Sequence, residues 1–156
     1  MIFMTMMIGP AVHILAVAIW VGGLFFASFV LQPSAQLLEP ATRLAYLNRV
    51  FARFFLWVWI SIAAVLISGF AMIIVGFGGF ATIPIYVRAM MGLGVLATAV
   101  HAYLYFVPWR RFRRHMSSID PAAAERSIRQ VRLLVAVNLT LGLVTAVLGA
   151  SGRYYG

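Results

Sequence analysis

Cysteine and lysine are both absent from this 156-residue chain, and Glu39, Asp120 and Glu125 are its only acidic residues. Without cysteine there are no disulfides, no thiolate metal sites and no cysteine nucleophile. All three carboxylates lie in connections between apolar runs, which leaves little for membrane-embedded carboxylate chemistry. A phosphate-binding glycine loop, a Ser-His-Asp set and a Glu-x-x-His motif are also missing. No charged residue lies in Met1 to Leu31, so the basic leader of a cleavable signal is lacking and this run reads as a retained first span.

What is present is apolar. The chain is 64% hydrophobic and only 10% charged, with a mean hydropathy of +1.01, far outside the soluble range. Four runs are long enough to cross about 30 Å of hydrocarbon at about 1.5 Å per residue. They are 6–31, 54–75, 83–107 and 133–150, and together they make 1–156 a single transmembrane domain. The expected fold is an all-α, integral membrane four-helix bundle. Asp120-Pro121 reads as an N-cap followed by an N1 proline, so the fourth helix is expected to start near Pro121.

The formal charge of +9 comes from twelve arginines. Ten of them lie in the connections 32–53 and 109–132, against only Arg88 and Arg153 elsewhere. By the positive-inside rule those two connections are cytoplasmic, and both termini and the turn Gly76-Phe77-Gly78-Gly79 face the outside, or periplasm. The setting this implies is a bacterial inner (plasma) membrane, crossed four times. The basic cytoplasmic loop 109–132 carries Arg110, Arg111, Arg113, Arg114 and His115 beside a span. That position points to the lipid bilayer and its anionic lipid as partner, and not to nucleic acid. His115, in a run of arginines, is expected to meet water.

Buried seams in membrane helices recur at steps of three and four and favour small or polar residues. Each run has such a stripe: His13, Ala16, Trp20, Gly23, Ala27; then Ser61, Ala64, Ser68, Met72; then Met90, Gly94, Ala97, His101; then Asn138, Gly142, Thr145, Gly149. These stripes are expected to face one another, with Phe25, Phe29, Ile67 and Leu141 toward lipid. Counting residues from the cytoplasmic end puts His13, Met72 and Met90 in one outer layer, and His101 with Asn138 roughly 16 Å deeper. That separation disfavours His13 and His101 as two axial ligands of one haem.

Seven of the eight methionines, including Met72, Met90 and Met91, fall at the outer side. Thioethers are soft ligands that suit Cu(I), and imidazole suits copper or haem iron. His13, Met90, Met72 and Met91 are therefore candidate metal ligands, against the alternative that methionine simply fills gaps in packing. His101 is a lesser candidate, because a hydrogen bond to Asn138 would account for both residues. Arg88 and Arg153 either snorkel to headgroups or, if haem is present, pair with its propionates.

The segment His13-Ile14-Leu15-Ala16-Val17-Ala18-Ile19-Trp20-Val21-Gly22-Gly23-Leu24-Phe25-Phe26 resembles the opening span of the copper-resistance protein D (CopD) superfamily: a His, then Trp seven residues on, then small residues. HemJ-type protoporphyrinogen oxidases, which bind b-type haem, share a similar opening. The likeness continues through Phe51-Ala52-Arg53-Phe54-Phe55 and Tyr103 to Phe112, as in small stand-alone members of the superfamily. It implies a four-helix membrane fold and copper uptake or resistance, or haem b binding, with His13 as the matched residue. The HemJ-type enzymes also use a Lys on their third span. This chain has none, and Met90 lies nearest that position. Copper handling is the leading reading. The alternatives are a haem b redox protein or oxidase, and a structural subunit that binds a partner membrane or periplasmic protein.

Overall fold

The computed structural model describes residues 2–118, 120–152 and 154, and the side chains of residues 2–7 lie outside that description. Among the described residues the chain is helical, without strands. Helix α1 (Ile2–Phe26) runs through a π-helical segment (Ala27–Leu31) into the short α2 (Gln32–Ala35). Helix α3 (Pro40–Gly76) returns, and α4 (Ile85–Leu104) continues through a second π segment (Tyr105–Trp109) into α5 (Arg110–Ser117). Helix α6 (Pro121–Gly152) closes the bundle. Four continuous helices, Ile8–Ala35, Pro40–Gly76, Ile85–Ser117 and Pro121–Gly152, are long and apolar enough to cross a membrane.

The boundaries have local causes. Asp120 caps α6, its Oδ1 accepting the Ala123 amide at 2.9 Å, with Pro121 opening the helix as the sequence predicts. Gly78 and Gly79 carry positive φ of 74° and 123° in the turn after α3, a region that side-chain-bearing residues avoid. The Thr82 hydroxyl donates to the Phe77 carbonyl and fastens that turn. Each π segment is paired with a proline, Pro33 two residues after the first and Pro108 within the second. Pro33 and Pro108 lack an amide proton and would press on the carbonyl four residues back, so the backbone widens there.

The helices outrun the apolar segments. The connection 32–53 is mostly helix, and α5 and α6 divide the basic loop between them. This is why the packed core sits toward the Arg-rich end. Leu24, Leu31, Phe51, Phe55, Val58, Leu104, Trp109, Phe112, Ile128, Val131 and Val135 are buried there. Phe51, Phe55, Trp109 and Phe112 form a ring nest, with Phe55 and Trp109 centroids 5.2 Å apart. Arg43 and Glu125 pair at 3.0 Å, and Arg132 Nε donates to Gln32 Oε1 at 2.7 Å, tying α3 and α2 to α6.

The four stripes lie inward: each of their residues is buried or half-buried. Phe25, Phe29 and Ile67 are exposed on the outer surface, as expected for lipid-facing residues. Leu141 is a correction, being half-buried and packed on the core cluster. The outer surface as a whole is apolar, including Ile14, Leu56 and Val147, which is what a bundle solvated by lipid requires.

Candidate functional site

At the arginine-poor end, α1 and α3 meet through a polar contact. His13 Nδ1 lies 3.0 Å from Ser68 Oγ. The hydroxyl has one proton, and Ser68 Oγ lies 2.5 Å from the Ala64 carbonyl one turn back. Its lone pair is then free to accept the His13 Nδ1 proton, which leaves Nε2 as the basic nitrogen. This is the orientation in which a hydrogen bond at the far ring nitrogen holds a ligating imidazole. Gly69 makes room for the ring: a Cβ there would stand 3.3 Å from His13 Cε1. Neither Ser68 as a clamp nor Gly69 as a gap was legible as such in the sequence, although Ser68 lay on the predicted seam.

One turn further toward the same end, a Cβ at Gly9 would meet Met72 Cγ at 3.3 Å. Gly9 precedes His13 by four residues and Met72 follows Ser68 by four, so the two contacts belong to one antiparallel register. Met72 therefore lies about 6 Å beyond His13 along the axis, and not in its layer as the residue count from the Arg-rich end suggests. The count misses this because the connections are helical and the markers at their ends are not level.

The other helix pair has its own register. A Cβ at Gly149 would meet Met90 Sδ at 3.3 Å. Val21 of α1 packs in the same way against Gly142 of α6. Gly149 is seven residues past Gly142, and Ile14 seven before Val21, so Met90 is level with His13. The two face different partners, however: the His13 imidazole is engaged with α3 and the Met90 thioether with α6.

Eleven residues on from Met90, and back from Gly149, lie His101 and Asn138. Eleven residues are close to three turns, so these two occupy the same level and nearly the same faces. Both are fully buried. The expected hydrogen bond between them is not made: His101 Nδ1 and Nε2 and Asn138 Oδ1 and Nδ2 are all without partners. Each buried polar group left unpaired costs about 1–3 kcal/mol. The neighbours are aromatic, since the His101 ring lies 5.6 Å from Phe55 and 5.2 Å from Trp59, both edge-on. Phe25, four residues on from Val21, marks this level on α1, about 18 Å from His13.

The remaining predicted residues are scattered. Met91 is half-buried, beside Met90 on α4. Arg88 is exposed and its Nη2 reaches the Ala81 carbonyl at 3.4 Å. Arg153 lies outside the described residues, as do the side chains of Met1, Met4, Met6 and Met7. Among the described residues no three His, Cys, Asp or Glu side chains gather as a metal cluster. His115 is half-buried and bonded to Ser127 Oγ through Nδ1 at 3.1 Å, rather than simply meeting water. Arg110, Arg113 and Arg114 line an open hollow of about 360 Å³ at the opposite end of the bundle.

A family model described as copper resistance protein D matches residues 48–151. The matched part contains Ser68, Met72, Met90, His101 and Asn138, whereas His13 precedes it. No curated protein and no solved structure matches the chain.

Proposed function

We propose, for a chain that belongs to the copper resistance protein D family, that it handles Cu(I) in the bacterial inner membrane, taking the ion at His13. The observation that carries this reading is the His13–Ser68 contact, which, with the Ser68 proton on the Ala64 carbonyl, holds His13 as the Nδ1–H tautomer and leaves Nε2 as the donor. Met72, one turn nearer the chain ends, supplies a soft thioether on the approach to that nitrogen. Met90, at the same depth across the bundle, and Met91 beside it are secondary donors.

The arginine distribution supports an orientation with this end on the periplasmic side, both termini outside, and the Arg-rich end against cytoplasmic anionic lipid. Haem b is less well matched. An imidazole held at Nδ1 also suits haem iron, but only one histidine lies at this level, and the family match is to a copper-resistance protein. The test is the metal content of protein purified in mild detergent after anaerobic supply of Cu(I) or haemin. The expected result is bound copper, with the ion at His13 lost in His13→Ala, and no Soret band. A Soret band that disappears in His13→Ala would replace the copper reading with the haem one.

A further inference from the structure

The arrangement that the His13 site leaves unexplained is the pair His101 and Asn138. Both side chains are fully buried, and all four of their polar atoms lack partners. They stand level with one another in the α4–α6 register that Met90 and Gly149 define. Two donors and two acceptors in one buried layer ask for a polar guest.

The surroundings restrict what that guest is. Glu39, Asp120 and Glu125 are exposed or half-buried, in or beside the connections, so no carboxylate faces the layer to match a hard divalent ion. The walls are the rings of Phe55 and Trp59, which bring neither charge nor an oxygen ligand, so the layer suits a soft ion over a strongly hydrated one. An imidazole with both nitrogens free is a ligand type that suits copper. One imidazole with an amide oxygen is a weaker set than His13 with methionine thioethers, as a transit site must be, because conduction requires sites that release what they bind.

Resting on the copper reading above, we propose that His101 and Asn138, walled by Phe55 and Trp59, form a second Cu(I) station about 18 Å deeper in the bundle than His13. Between the two levels the helices carry small residues, Ala16, Ala64, Gly94 and Ala97, on their inward stripes. The Nε1 of Trp20, buried and also without a partner, lies on the same stripe of α1. The ion enters at His13 and passes inward along that seam, exchanging one imidazole for the other with no change in oxidation state.

The test is an anaerobic Cu(I) titration of detergent-solubilised protein against a chromophoric Cu(I) chelator, with tryptophan emission recorded in parallel. The wild-type chain binds two Cu(I). His101→Gln, which keeps a polar side chain but removes the imidazole, binds one, and His13→Ala retains the deeper one. Filling of the deeper station quenches Trp59, so Trp59→Phe loses that part of the quench and keeps both ions. A wild-type chain that binds one ion, lost in His13→Ala and unaffected in His101→Gln, overturns the second station and leaves the copper reading standing. A chain that binds no Cu(I) overturns both.

Discussion

Ser68 stands between His13 and the backbone of its own helix, 3.0 Å from the imidazole Nδ1 and 2.5 Å from the Ala64 carbonyl oxygen. The hydroxyl relays the orientation of α3 to the histidine of α1. Removing it frees the ring to rotate and to change tautomer. Ser68→Ala is expected to weaken Cu(I) binding about 10- to 100-fold, the range typical when the group hydrogen-bonded to a ligating imidazole is lost. Chelator competition measures it, and an unchanged affinity would show that Ser68 only packs.

The methionines are expected to differ from one another. Met72 extends from α3, whose Ser68 contacts His13, one turn nearer the chain ends, whereas the thioether of Met90 lies on Gly149 of the other helix pair. Leucine keeps the approximate volume of methionine and deletes the sulfur. Met72→Leu is therefore expected to lower Cu(I) affinity on the order of tenfold, about 1.4 kcal/mol, and Met90→Leu by less. The reverse order would move the entry site to the α4–α6 side.

Glycine 142 tests the packing of the two helix pairs on each other. A Cβ at this position would lie 2.8 Å from Val21 Cγ2, closer than real contacts allow. Gly142→Ala is expected to cost about 1–3 kcal/mol as an overpacked site, read as a lower melting temperature in detergent. Adding Val21→Ala restores most of it. A single variant that melts like the wild type would mean that α1 and α6 are not packed this closely.

Orientation can be read with engineered thiols, because the native chain has no cysteine to interfere. Phe80→Cys, exposed in the turn after α3, and Ser117→Cys, exposed at the end of α5, sit at opposite ends of the bundle. In intact cells an impermeant thiol reagent is expected to label the first and not the second. The opposite pattern places the His13 end in the cytoplasm.

Much of the architecture is already present in the linear pattern. The apolar runs specify four long helices, since in lipid a backbone must satisfy its hydrogen bonds within each helix. Small and polar residues at steps of three and four identify the inward faces, and Ala16, Trp20, Ser61, Ser68, Ala97, His101 and Asn138 are all buried. Asp120-Pro121 marks the start of α6 because capping is a local interaction. His13 was identifiable as a candidate because a lone imidazole in an apolar run is costly and rarely idle.

Partnership was decided only in three dimensions. Residue counts along each run placed Met72 level with His13, but the register set by Gly9 and Ser68 moves it one turn away. Composition offered Asn138 as the natural partner of His101, yet the tertiary structure leaves both unpaired between aromatic rings. Depth, register and the direction in which a side chain points depend on how two helices slide and rotate against each other. Those are set by the sum of many van der Waals contacts along the seams, and no local run of residues encodes them.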